Sequence, residues 1–293
     1  MSSIKNKTYG VISLVDYKSP RIKLLYAVLL FVCILMAFIC IAPPLWVMLS
    51  SLKNIKEFMA VPPTIIPRSF EPQKIIETWQ LLDFTKFYVN SATYVVGAVV
   101  CALLFNGLAG YVLSILKPKG SKFVLALILW SLMLPATTNL VPIFKNIASL
   151  KLTNSFLPLW LNFGAGAFNI LLFKSFFDTL PISLIEAAKI DGCGPLQIFR
   201  RIVLPLSKAV CIVVVIMTIN ASWSDFLLPY IVIKNPQMYT VMIKIYDLAA
   251  GASPFPYDLR MLALLFAILP PAILFVFFQK YITQGIALSG IKG

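Results

Sequence analysis

Site chemistry needs groups that exchange protons, hold metals or bind anions, and this chain carries few of them. It has no histidine, and its 11 acids stand against 25 lysines and arginines. Histidine-based acid–base catalysis and histidine metal ligation are therefore excluded. No Gly-x-x-x-x-Gly-Lys-Ser/Thr phosphate loop occurs, so the chain holds no ATP site of that kind. A membrane enzyme would have too few groups for general acid–base work. The polar and aromatic residues in otherwise apolar surroundings are Asn106, Asn139, Asn162, Asn169, Asn220, Trp223 and Asp225. Amides, a carboxylate and an indole are groups that can line a binding path for a polar solute. The same groups also make helix–helix hydrogen bonds, and the sequence leaves both roles open. Asp225 is the one acid inside an apolar run. An ion-coupled secondary transporter needs more intramembrane acids than that, or broken-helix cages.

A second constellation is compact and charged: Glu186 to Pro205, "EAAKIDGCGPLQIFRRIVLP". Ser183 and Glu186 have capping-box spacing, which predicts a short helix over Leu184–Ile190. Ala187 and Ala188 are small enough to let another surface approach the backbone. Gly192 suits the left-handed position past a helix end, and Pro195 suits the first turn of a second helix over Leu196–Leu204, which Pro205 would end. Leu196 and Phe199 are expected to pack back on the chain's own helices. The segment reads either as a docking element or as an amphipathic loop resting at lipid headgroups.

The elements that must position these groups are apolar. Of 293 residues 60% are hydrophobic and 12% charged, about half the charge of an ordinary soluble domain. The apolar residues form six runs: Leu24–Leu52, Phe87–Leu116, Phe123–Phe144, Leu152–Phe173, Ala209–Ile233 and Met261–Gln279. A span takes about 20 residues, and in lipid it must be helical. The expected fold is all-α: one domain over 1–293 with six transmembrane helices. Pro43, Pro44, Pro135, Pro142, Pro158, Pro270 and Pro271 are expected to kink or interrupt several of them. Trp46, Trp130 and Trp160 suit an interfacial belt. Six spans put both termini on one side, where 15 of the 25 cations meet four of the 11 acids. By the positive-inside rule that side is cytoplasmic, as is the segment 183–205 between helices 4 and 5. The charge of +14 thus needs no nucleic-acid partner; it lies beside anionic lipid. The first run is too long and too far from the start for a cleaved signal peptide. The five cysteines imply no disulfide, since none falls in an outer loop.

The pattern Glu186-Ala187-Ala188, three residues, Gly192, nine residues, Ile202-x-Leu204-Pro205 resembles the EAA motif of permease subunits of ATP-binding-cassette importers. "FYVNSATYVV" (Phe87–Val96), "LPATTNLVPIF" (Leu134–Phe144), "SWSDFLLPYIVI" (Ser222–Ile233) and "QKYITQGIALSGIKG" (Gln279–Gly293) resemble the carbohydrate-importer branch, in particular the maltose permease G component. Leu113–Lys119 departs from that branch, whose members usually carry an alanine- and arginine-rich stretch there. The resemblance implies a subunit of a bacterial or archaeal cytoplasmic membrane that forms half of a sugar path with a second, related permease. It also implies two ATPase subunits, which hold ATP and Mg while this chain binds no cofactor and no metal, and an extracytoplasmic solute-binding protein. The EAA helix would be the coupling helix, with Glu186 and Asp191 as polar contacts to the ATPase, Ala187 and Ala188 as close packing, and Gly192 as hinge. The outer loop Asn235–Asp258 would meet the binding protein or fold over the helix ends. The tail would dock between the ATPase subunits through Ile286, Leu288 and Ile291, or lie near anionic headgroups. The same architecture also serves importers of amino acids, peptides and phosphate-type ligands.

Overall fold

A computed structural model describes residues 20–68, 71–250 and 255–290, with backbone alone from 280 to 290. Every regular element among them is helical. Three helices are long and apolar enough to cross a membrane: α1 (Pro20–Ser51), α3 (Phe84–Leu116) and the Tyr257–Gln279 part of the last helix, Tyr257–Gly290. Between α1 and α3 lies α2 (Pro72–Leu81). After α3 come α4 (Ser121–Ser131), α5 (Leu140–Ser149), α6 (Leu157–Gly164), α7 (Ala167–Phe177) and α8 (Ile182–Ile190). The chain then forms α9 (Pro195–Leu206), α10 (Lys208–Ser224), α11 (Leu227–Val232), α12 (Val241–Ala250) and α13 (Tyr257–Gly290).

Three apolar runs are broken rather than continuous. Run 123–144 parts between α4 and α5, where Pro135 removes a backbone donor and leads into a short 3₁₀ turn. Run 152–173 parts at Ala165–Gly166, and run 209–233 parts at Asp225 and Phe226. Proline does not interrupt α1 or α13, which run through Pro43–Pro44 and Pro270–Pro271. The last helix continues to Gly290, so the sequence 279–290 is helical backbone. Residues 251–254 of the outer loop and 291–293, with Ile291, lie outside the described residues, as do the side chains of Ile286 and Leu288.

The architecture hangs on α3. Phe84 and Phe87 join one buried cluster with Trp223, Leu262 and Phe266. Tyr94 and Ala98 join a second with Leu159, Val232 and Ile243. Ala102 and Tyr111 join a third with Phe173, Ile185, Phe199 and Val214. Small residues let the neighbours approach. A Cβ at Gly110 would lie 2.7 Å from Phe173 Cβ and 3.0 Å from the Lys174 backbone nitrogen. Trp160 packs inside the bundle: its ring lies where a Cβ on Gly97 would stand. Trp46 and Trp130 are exposed.

Past Ser51, the chain from α1 is held by a buried cation. Lys74 on α2 sits 2.8 Å from Asp258 on α13 and donates to the Lys53 carbonyl at 2.6 Å. Lys53 itself donates to the Thr64 carbonyl and lies 4.6 Å over the Trp46 ring. Beyond this node α1 packs on α13, and none of its most apolar stretch is buried.

Gly110→Ala should therefore destabilise by about 1–3 kcal/mol, because the added methyl meets backbone that cannot yield. Thermal unfolding in detergent checks this against Gly194→Ala, where no atom lies within 4 Å. Equal melting of the two variants would contradict the close α3–α7 contact.

Candidate functional site: the segment across the end of the bundle

The segment 183–205 turns sharply at both ends. The α7 and α8 axes meet at 81°, and the α9 and α10 axes at 82°. The segment thus leaves and rejoins the bundle at nearly right angles and lies across its end. Two devices set the first bend. Pro181 precedes α8 in extended conformation, as a pre-helical residue should. Asp178, just past α7, accepts from Ser114 on α3 and from Lys174, each at 2.7 Å. Burial pushes the Asp178 carboxyl up, but these two hydrogen bonds, with the charges of Lys174 and Lys117, outweigh it and hold its pKa below the ordinary value. The contact is therefore fully formed at neutral pH and lost only as pH falls through that lowered pKa.

The capping box expected from Ser183 and Glu186 does not form, because α8 starts earlier, at Ile182, and Ser183 lies inside it. The turn after α8 has Gly192 at φ +78°, a conformation β-carbon sterics make costly for other residues. Gln197 accepts from the Gly194 backbone N–H at 3.0 Å, closing the first turn of α9. Pro205 does not end α9. The helix widens into a π-helical stretch at Phe199–Val203 and runs one residue past Pro205, to Leu206.

The segment has two distinct faces. Ile185, Ala188, Ile198 and Phe199 are buried in the third cluster. Glu186, Ala187, Asp191 and Gly192 are exposed, as are Ile182, Leu184, Ile190 and Leu196. Ala188 thus packs inward on the chain's own core, and Leu196, expected to pack there, faces out. Ile190 is 86% exposed, which is much apolar surface for one side chain on a charged segment. On α9, Leu196, Gln197, Arg200 and Arg201 line an open depression of about 340 Å³.

The polar residues of the spans divide in two groups. Asn106 is fully buried and committed: it donates to the Phe163 carbonyl at 2.9 Å and accepts from the Gly166 N–H at 3.0 Å. These are backbone groups that the α6–α7 break leaves without helical partners. Trp223 is buried, donates to the Ala267 carbonyl at 3.1 Å and packs edge-on against Tyr88. Asp225 accepts from the Tyr94 hydroxyl at 2.7 Å, beside the break between α10 and α11. Asn106 and Trp223 therefore brace the bundle, and Asp225 braces a break. Asn139, Asn162 and Asn220 are exposed and Asn169 is half-buried.

Sequence reading missed Tyr94, Tyr111, Ser114 and the Lys74–Asp258 pair. Each is a single polar group whose partner lies far along the chain, so no local spacing announces it.

An all-helical bundle with apolar spans, braced breaks and an exposed segment lying across one end defines a membrane permease fold. The chain belongs to the family of binding-protein-dependent transport system inner membrane components, whose family model matches residues 10–288. It is 33% identical over 212 residues to the arabinooligosaccharides transport system permease protein AraQ of Bacillus subtilis, covering 72% of this chain and 74% of that one. It is 30% identical to the galactooligosaccharides transport system permease protein GanQ of the same organism, over 96% of this chain and 100% of the relative. The sn-glycerol-3-phosphate transport system permease protein UgpE of Yersinia pestis is 29% identical over 82% of this chain and 88% of its own length. A chain from the crystal structure of a bacterial ABC transporter that imports the acidic polysaccharide alginate shares the fold, with a TM-score of 0.80. It is 20% identical and matches 93% of this chain and 99% of that one.

Replacing Asn106 with leucine should leave the Phe163 carbonyl and Gly166 N–H unpaired and cost about 1–3 kcal/mol. Thermal stability in detergent and transport should fall together. Lost transport at an unchanged melting temperature would return Asn106 to the solute path.

Proposed function

We propose that this chain is the permease subunit of an ATP-driven, binding-protein-dependent importer and forms half of the path for a sugar or oligosaccharide. Six crossings carry the chain, over 24–52, 87–116, 123–144, 152–173, 209–233 and 261–279, with both termini and the segment 183–205 on the cytoplasmic side of a bacterial or archaeal membrane. A second, related permease completes the path. Two ATPase subunits bind ATP and Mg, and a solute-binding protein delivers the cargo from outside. The observation that carries this reading is the segment itself. It stands across the bundle between two near-right-angle bends and exposes Ile182, Glu186, Ala187, Ile190 and Asp191. A short helix with that mixture fits a groove on a partner. Glu186 and Asp191 supply its polar contacts, Ala187 and Ile190 its apolar ones, and Gly192 fixes the turn behind it.

Carbohydrate as cargo is supported by relatives named for arabinooligosaccharides and galactooligosaccharides. On this chain Asn220 and Asn139, exposed within apolar runs, are the path residues best placed to meet sugar hydroxyls. A phosphate-bearing cargo is the second reading, favoured by the likeness to a glycerol-3-phosphate permease. Competition of transport by oligosaccharides against glycerol phosphate separates the two.

Gly192→Val should strain the turn at positive φ and mis-aim α8 while leaving insertion in the membrane intact. Transport by the complete importer should fall at least tenfold, the factor that about 1.4 kcal/mol of mis-positioning gives. Normal transport by Gly192→Val, with its ATPase partners present, would remove the coupling role of this segment.

A further inference from the structure

The segment across the bundle end is fastened to the membrane helices at one polar point of unusual construction. Tyr111, 2% exposed on α3, donates its hydroxyl to the Pro195 carbonyl at 2.9 Å, and its ring lies 5.2 Å from that of Phe199. Pro195 opens α9, directly after the Gly192–Gly194 turn. Its carbonyl already accepts the Phe199 N–H within α9, so the tyrosine takes the second lone pair. The bond therefore grips the segment where the turn delivers the chain into α9.

The surroundings are unusual for a structural tyrosine. On α3, π-helical stretches at Ala102–Asn106 and Val112–Leu116 flank Gly107–Tyr111, and a third begins on α9 at Phe199. Such stretches are rare and concentrate where helices must work. Five residues before Tyr111, Asn106 holds the two backbone groups of the α6–α7 break. One residue before it, Gly110 sits against α7, the helix that leads through Asp178 into α8. A displacement of the segment thus reaches α3 by two routes, through Tyr111 from α9 and through Gly110 from α7. Both arrive within about a turn and a half of the bond that holds the break.

We propose that Tyr111 is a positioning residue for energy coupling: its hydroxyl fixes the aim of the α8–α9 segment relative to α3, so that movement of the segment is carried to the α6–α7 break at Asn106. The proposal rests on the coupling role given to the segment above. Burial of the ring explains a large apolar side chain here, but not the hydroxyl on a second lone pair of a turn carbonyl.

Tyr111→Phe keeps the ring and removes the bond. In proteoliposomes with the second permease, both ATPase subunits and the binding protein, ATP hydrolysed per solute transported should rise between about twofold and tenfold. That range is what losing one neutral hydrogen bond implies. Recovery of the assembled complex should stay at the wild-type value, and melting temperature within about a few degrees of it. An unchanged ratio of hydrolysis to transport in Tyr111→Phe overturns the proposal, as does failure to assemble or a proportional fall of both activities, either of which makes the bond merely structural. Gly192→Val tells this failure from failure of the coupling role. If that variant stops transport while Tyr111→Phe stays fully coupled, the segment couples but not through Tyr111. If Gly192→Val transports normally, the coupling role itself is gone.

Discussion

One helix constrains most of the molecule: α3 is a wall of all three apolar clusters, so the elements that share them cannot shift far without it. Its polar side chains follow a common rule. Asn90 donates to the carbonyls of Gln237 and Tyr239, and Ser91 accepts from the Val241 N–H. Tyr94 reaches Asp225, Asn106 the α6–α7 break, Tyr111 the Pro195 carbonyl and Ser114 the Asp178 carboxylate. Each contacts a loop, a turn or an interrupted helix, and all but Tyr111, whose Pro195 carbonyl also accepts within α9, meet groups that lack helical partners. In an apolar medium such groups are costly when unmet. The breaks at Ala165–Gly166 and at Asp225 are tolerable because α3 carries partners for them.

That rule also explains what could be read from the sequence. The apolar runs, the two flanks of the crossing segment and the left-handed glycine follow from local composition and spacing. The breaks were only partly visible. Pro135 announces one, but the break at Ala165–Gly166 has no proline, and its reason is distant: Asn106, sixty residues away, supplies the partners. An asparagine in an apolar run looks the same whether it meets a sugar or a neighbouring backbone. Asn106 and Trp223 proved to be braces, whereas Asn139 and Asn220 keep their amides free of burial. The Ser183–Glu186 spacing misled because Pro181 starts α8 before the serine, which then has no helix end to cap.

The buried Lys74–Asp258 pair does for the opposite end of α3 what Tyr111 and Ser114 do for this one. It ties α2 and α13 together next to the start of α3 and holds the Lys53 carbonyl just past α1. A buried ion pair is weak evidence for stability, since its desolvation offsets much of the attraction. Its geometry, however, admits few arrangements. Lys74 reaches an acid on α13 and a carbonyl beyond α1 at once, so the direction in which α1 departs is fixed by three elements together. Apolar packing alone would leave that direction loose, because α1 is otherwise in contact mainly along one side of α13.

In the proposed importer this chain contributes by moving, and movement is useful only if it arrives where it is needed. Close-packed interiors respond by shifting between discrete arrangements rather than by continuous bending. The crossing segment meets this requirement through its two faces. Ile185, Ala188, Ile198 and Phe199 are locked into the cluster that includes Tyr111 and Phe173, while the opposite face, with Ile190, is open. A push on the open face is therefore received by a core of fixed shape, and that core is bounded by α3. The glycine turn between α8 and α9 lets the two short helices share one load at an angle. Under the proposed coupling role, the hydroxyl, the amide and the glycine contact along α3 set which broken helix a movement of the segment reaches first.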